Sequence, residues 1–484
     1  MELLSNIVKN PLSPLFEKST TKTKTKTKTR KRKRSKSKSN SKSKRHAKAQ
    51  TKTRPLIAKS RKLHATRSST HRTIGDFMKR TEEARHYHFL KNICSDAGLC
   101  IAFGLENIKI KDFFNNFTSF DYVVSPIRSI GSPSENGFVK EINYAHHNYR
   151  ANSILKSSTD EMSDNLVYEY MVGMQVNEWK TYFPCFIETY GLYKYNDEEQ
   201  YEYIRDTRLI RDIDTLKNSL DLITTSEDKD PLYDYADMCN NSKYYAVLIE
   251  YIKNAKDMED VMDDLNSYDT NAILAQVYFP LGRLTNDFVH YDLHLNNVML
   301  YEPAPGKYVE YYYYFENGEI IRFKSKYVAK IIDYGRSYIK DSPQIYQQIC
   351  DTEDCEPRCG WGYGFNWMTE EAGAEEYYIS SALLNPSHDL RFFHEVYPDF
   401  DMVKYGVGID NEEEQMYGTE PNFESGLPDT INNVSDASTY LRKYMKNSKR
   451  VEYFAGSAFP ENKKFGELHI YMNMKTPLRF IKTL

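Results

Sequence analysis

Three things are scarce in this chain. Cysteine is one: there are seven in 484 residues, and their spacing suggests no disulfide framework, which points to a reducing compartment. Long apolar runs are another. No stretch approaches about 18 consecutive apolar residues, and no N-terminal segment has the apolar core of a secretory signal. The expectation is a cytoplasmic or nuclear protein, not secreted and with no membrane contact. The third absence is local. Between Lys18 and Arg72 there is no Asp or Glu, against 23 Lys and Arg. The remainder carries 42 basic and 68 acidic residues, a net of −26, although the whole chain stands at only −3.

The acid-free stretch is also low in complexity: Lys-Thr repeats, then Arg30-Lys31-Arg32-Lys33-Arg34, then Ser-Lys repeats. It cannot bury enough apolar surface to offset its chain entropy, so residues 1–72 are predicted to form a disordered tail. Charge of this kind fits non-specific contact with nucleic acid or another polyanion through residues 18–72, a nuclear-import signal, or a solvated spacer. Sequence-specific reading of bases is not expected, because nothing positions side chains against base edges. Cys350, Cys355 and Cys359 lack a paired C-x2-C knuckle and a clear fourth ligand. They read as ordinary thiols rather than a zinc site.

What is present centres on His290-Tyr291-Asp292-Leu293-His294-Leu295-Asn296-Asn297. Asp292 and Asn297 lie on one short loop that runs into the strand-like Val298-Met299-Leu300. A second strand-like run, Val328 to Ile332, ends in Asp333-Tyr334-Gly335. Two strands that each deliver a metal-competent side chain at one edge are what phosphoryl transfer needs.

Further stretches fit the same chemistry. Ser132 to Val139, which includes Ser134, Gly137 and Val139, reads as a turn that a plain hairpin would equally give. Ser153-Ile154-Leu155-Lys156 ends an apolar strand in a cation. A helix follows, with Asp164 as its cap and Val167, Tyr170, Met171 and Met174 as its apolar stripe. Glu169 on that helix is the favoured partner for Lys156, ahead of Glu161 and Glu178. Tyr245 to Ile249 is a buried strand leading to Glu250 and Ile252. Ser387-His388-Asp389-Leu390 offers a buried carboxylate.

Together, H-x-D-L-H-x-x-N and D-Y-G resemble the catalytic loop and metal-binding element of the protein-kinase-like superfamily. The resemblance covers roughly residues 120–400 and implies an α+β, two-lobed protein-kinase-like fold. It implies Asp292 as the general base, and Asn297 and Asp333 as ligands of Mg2+. It also implies an ATP site from Ser134, Gly137, Val139, Lys156, Glu169 and the backbone of Glu250 and Ile252, with His290, His294 and Asp389 in support. Serines stand where the family has its first two glycines, and no A-P-E motif follows Asp333. His294 stands where protein Ser/Thr kinases place Lys, a pattern more like aminoglycoside and choline kinases. The leading expectation is a protein Ser/Thr kinase. The alternatives are a kinase of small-molecule hydroxyls and a pseudokinase scaffold with a polyanion-binding tail. The chain is also similar to uncharacterised kinase-like proteins of large DNA viruses.

The expected layout follows. Residues 73–120, with a helix over 77–94, extend the first lobe and pack on it. Residues 121–252 form a small nucleotide-binding lobe, in which 186–190 reads as a strand and 196–242 as an irregular acidic insertion. Residues 253–484 form a mainly helical lobe. Its features are a helix over 271–287 kinked at Pro280 and an inserted hairpin near 308–321 turned by Asn317-Gly318. In that hairpin some of Tyr311 to Tyr314 should be exposed. Helices are expected over 375–398 and 437–447, and a strand over 466–473.

Overall fold

A computed structural model of the chain describes residues 106–133, 137–159, 166–223, 243–252, 254–340, 361–365, 376–382, 384–397, 431–446 and 463–483. All of them belong to one unit, Arg72–Leu484. The predicted tail, the helix over 77–94, Asp164, Ser134 and the three clustered cysteines lie outside the described residues. The fold is mixed, with several sheets and helices. No helix among the described residues is long and apolar enough to cross a membrane.

Helix α1 (Glu106–Phe113) leads into β1 (Val123–Ile130), β2 (Phe138–His146) and β3 (Tyr149–Ser157). Helix α2 (Leu166–Lys180), β4 (Thr189–Tyr195), α3 (Glu198–Asp206), β5 (Leu209–Ile210), α4 (Ile213–Ser219), β6 (Leu220–Leu222) and β7 (Tyr245–Glu250) follow. The seven strands form one sheet in the order β5-β1-β2-β3-β7-β4-β6. Every residue of β7 is buried, because both faces of the sheet are covered. On one face Ile110, Phe114, Phe117 and Phe120 pack with Ile142, Leu155 and Leu248. On the other, α2 packs with Val247 and Ile249.

The remaining elements begin with β8 (Lys256–Asp257), α5 (Met258–Val261) and α6 (Ser267–Arg283). Asn266 caps α6, its side-chain oxygen accepting from the backbone N–H of Tyr268 and Asp269 at 3.0 Å each. Strands β9 (Phe288–Val289), β10 (Val298–Tyr301), β11 (Tyr308–Tyr314), β12 (Ile320–Ser325), β13 (Val328–Ile331) and β14 (Tyr338–Ile339) come next. Then come β15 (Trp361–Phe365), β16 (Glu376–Ser380), α7 (Arg391–Val396), α8 (Val434–Lys446), β17 (Lys464–Tyr471) and β18 (Arg479–Lys482). They form the sheets β13-β10-β8, β12-β11-β17-β18, β14-β9 and β15-β16.

Several expectations need correction. The stretch after residue 196 is not irregular: residues 198–222 supply two helices and two strands to the large sheet. Their acidic side chains cap helices instead, Asp197 for α3 and Asp212 for α4. The strand read over 186–190 starts only at Thr189, while Phe186 makes an isolated bridge to Ile331. Residues 375–398 are not one helix but β16, a 3-10 turn at His388–Leu390 and the short α7.

Helix α6 continues three residues past Pro280, which lacks the N–H that would otherwise bond the Gln276 carbonyl. No tyrosine of β11 is fully exposed. Tyr311 and Tyr313 are buried, and Tyr312 and Tyr314 are half-buried, stacking on His469 and Tyr471 of the parallel neighbour β17. A strand distant in sequence covers what an isolated hairpin would leave bare.

Candidate functional site

Strands β2 and β3 place the first cation. Their register pairs Val139 directly with Lys156, so both side chains leave the same face of the sheet. Gly137 precedes β2, and a Cβ there would sit 2.6 Å from the Ser157 carbonyl oxygen. The close approach of the turn to β3 therefore requires glycine at this position.

Lys156 meets two carboxylates. Its Nζ donates to Glu169 Oε2 at 2.8 Å and to Asp333 Oδ1 at 2.9 Å. Burial alone would lower its pKa, but Asp333 and Glu169 outweigh burial and raise it, so the ammonium stays charged. Of the competing carboxylates, Glu178 is exposed at the far side of α2 and Glu161 lies outside the described residues.

The stripe expected for α2 holds in part: Val167 is buried and Tyr170 and Met171 pack half-buried against the core, but Met174 is exposed. The buried face also takes Glu169, Val172, Gly173, Val176 and Lys180. The periodicity gave only part of this face because two charged residues lie on it.

Lys180 explains how α2 tolerates this. Its Nζ lies 3.1 Å from Glu188 Oε2 and 2.7 Å from Glu250 Oε2, and all three side chains are buried. Lys330 on β13, also buried, donates to the Phe186 carbonyl at 3.1 Å and lies 3.8 Å from Glu250. The Glu250 side chain is thus turned away from the lysine of β3. Its backbone N–H donates to the Glu188 carbonyl at 2.7 Å, and Ile252 beyond the end of β7 is also buried.

The loop after β9 is built by Asp389. Its Oδ2 accepts from His290 N at 2.7 Å and its Oδ1 from Tyr291 N at 2.9 Å. Burial pushes this carboxyl up to about 7, against the two N–H bonds that favour its charged form. Those bonds hold Tyr291 in the left-handed region, at φ 62°, a conformation that is costly without such support. Burial lowers the His290 imidazole pKa and dominates the opposing pull of Asp292. The neutral ring donates from Nε2 to the Ile332 carbonyl at 2.9 Å and accepts from Asp292 N at Nδ1, 3.3 Å away. His294 caps the 3-10 turn Leu295–Asn297 by accepting from Asn296 N at 3.3 Å.

The antiparallel register of β10 and β13, Val298 opposite Ile331, brings Asn297 and Asp333 to one edge. Ile332 N donates to Asn297 O at 3.1 Å. The Asn297 side-chain nitrogen donates to the Asp292 carbonyl at 2.8 Å, which presents its amide oxygen as the free end. Burial alone would raise the Asp333 carboxyl, but the neighbouring Lys156 holds it down at about 2. An ionised carboxylate and an amide oxygen at one edge suit a hard cation such as Mg2+, which takes few protein ligands and completes its shell with water and phosphate oxygens.

Neither a protein-family model nor a curated protein sequence matches the chain. The site is read from its own geometry.

Three features escaped sequence reasoning. Arg391 Nη1 lies 3.3 Å from Asp292 Oδ1, and its Nε donates to Glu395 Oε1 at 2.9 Å. The other Glu395 oxygen accepts from Leu295 N at 2.9 Å, inside the loop. The i, i+4 spacing of Arg391 and Glu395 right after Asp389 was the available signal. The Tyr334 hydroxyl accepts from Ile187 N and donates to Ile331 O, at 3.0 Å each. The Lys180–Glu188–Glu250 group had no signal, since a buried ion pair cannot be told from surface charge in one sequence.

Proposed function

We propose that this chain is an ATP- and Mg2+-dependent phosphotransferase of two-lobed, protein-kinase-like fold that acts on a hydroxyl acceptor, with protein serine or threonine as the leading acceptor class. One observation carries the reading. A single ammonium, Lys156, bridges Glu169 on α2 and Asp333 beyond β13, partners 13 and 177 positions away. A cation held between a helix carboxylate and a metal-competent carboxylate is arranged to meet nucleotide phosphates.

In this reading Asp292 orients and deprotonates the acceptor hydroxyl, while its loop is held by Asp389, His290 and Asn297. Asn297 and Asp333 hold Mg2+, whose part is to neutralise phosphate charge. The backbone at Glu250 and Ile252 meets the adenine edge, and Gly137 and Val139 lie over the nucleotide. The small-molecule alternative draws on His294. Its imidazole caps the loop and stands where a lysine would mark a protein kinase.

The test is transfer of labelled γ-phosphate from ATP, with protein, amino-alcohol and aminoglycoside acceptors. Asp292→Ala and Asp333→Ala should each lower turnover by at least about a hundredfold with unchanged far-ultraviolet circular dichroism. Wild-type turnover in either variant would end the site assignment.

A further inference from the structure

The carboxylate of Asp292 is approached by two nitrogen-bearing side chains on the same oxygen. Arg391 Nη1 lies 3.3 Å from Oδ1 and His294 Nε2 lies 3.8 Å from it. The other oxygen, Oδ2, takes no hydrogen bond from the described residues, which leaves it for an acceptor hydroxyl. Arg391 is not a loose surface cation. Its chain neighbours Leu390, Phe392 and Phe393 are fully buried, and Glu395 ties its Nε to the Leu295 backbone of the same loop.

A structural brace would be complete with the Glu395 contact. The guanidinium nevertheless extends to Asp292 over a distance longer than the roughly 2.7–2.9 Å of a tight charge-assisted bond, and it keeps further N–H groups beyond the two it uses. A planar donor fork in that state can take a carboxylate or phosphate with two bonds.

We propose that the acceptor hydroxyl belongs to a molecule with an anionic group, carboxylate or phosphate, next to the hydroxyl, and that Arg391 recognises that group. The proposal rests on the phosphotransferase reading and sharpens it. A hydroxyl on Asp292 Oδ2 brings its neighbouring substituent within a few ångströms of Arg391. There an anion is attracted and an ammonium is repelled. Amino-alcohols and aminoglycosides are therefore disfavoured, and acidic peptides or sugar phosphates are favoured.

The experiment uses the full chain with Mg2+ and labelled ATP and four acceptors: a serine peptide flanked by glutamates, the same peptide flanked by arginines, glucose 6-phosphate and an aminoglycoside. The anionic acceptors should exceed their cationic counterparts by about tenfold or more in kcat/KM. The better of the two anionic acceptors identifies the source as protein or small molecule. Arg391→Gln should collapse that ratio to about twofold or less by raising the KM of the anionic acceptor, with the KM for ATP unchanged. Arg391→Lys, which keeps the charge but loses the planar fork, should give a ratio between those of the wild type and Arg391→Gln.

A brace without recognition would lower kcat for all acceptors and leave the ratio intact, which would overturn the proposal. A preference for the cationic acceptors would also overturn it while leaving phosphotransfer standing. Absence of transfer to all four, with ATP bound, would overturn the phosphotransferase reading and this inference together.

Discussion

Lys156 stabilises two carboxylates of unlike exposure. Glu169 is 3% exposed and Asp333 is 36% exposed as side chains. Removing the ammonium takes a cation from the buried Glu169, whereas Asp333 keeps access to solvent. Lys156→Met should therefore cost about 1–3 kcal/mol of stability, mainly through Glu169, as read from urea denaturation. Adding Glu169→Gln to that variant should recover most of the loss.

The buried Lys330 gives a pH signature. Burial lowers its pKa to about 8, below the ordinary lysine value. Between about pH 8 and about pH 10 the unfolded chain holds a proton there that the folded chain does not, so this group's contribution to stability rises with pH across that window. Measured against Lys330→Met, the wild type should gain relative stability from pH 8 to pH 10. A flat difference would mean that Lys330 stays charged in its site.

At this scale the sequence was readable where spacing forces convergence. Asp292, Asn297 and Asp333 each sit at the end of a strand or loop signal, and the structure brings them to one edge. Arg391 was not readable, since its meeting with Asp292 depends on how α7 docks against the loop.

Among the elements, α2 decides whether Lys156 has its partner. Two devices hold it. Lys180 locks its C-terminal end to Glu188 and Glu250, and Gly173 lets it lie against β4, where a Cβ would come within 2.1 Å of the Thr189 hydroxyl oxygen. Gly173→Ala should push α2 off the sheet, costing about 1–3 kcal/mol and lowering kcat/KM by more than the folded fraction accounts for. Equal losses in activity and folded fraction would show that α2 does not control the lysine. Lys180→Met should cost a similar amount, about 1–3 kcal/mol, because Glu188 keeps Lys111 at 2.8 Å and Glu250 keeps Lys330 at 3.8 Å.

The runs ending at Lys156 and Ile249 were legible as apolar strands, whereas β5 and β6 were not, because they lie in an acidic stretch of little periodicity. The buried face of α2 was legible only in part, because a face that carries paired Glu and Lys looks like the solvent side. The four-stranded sheet was half legible. Asn317-Gly318 marked the turn between β11 and β12, but the parallel pairing of β11 with β17 joins segments about 150 residues apart, as in Tyr314 opposite Tyr471, and no local pattern encodes that.

For the whole molecule the main feature is the charge split, with 23 basic residues between Lys18 and Arg72 and an acidic remainder. If the basic stretch contacts polyanions, the full chain should bind duplex DNA with an affinity that falls steeply as salt rises, and a 73–484 truncation should lose both the affinity and the slope. Equal binding by the two would place any such contact elsewhere.

The broader claim is that remote segments of this chain converge on one magnesium nucleotide. Calorimetric titration of ATP into the full chain, with and without Mg2+, tests it most directly. The account predicts binding that requires Mg2+ and is lost in both Lys156→Met and Asp333→Ala. ATP affinity that is the same without Mg2+, or unaffected in those two variants, would contradict it.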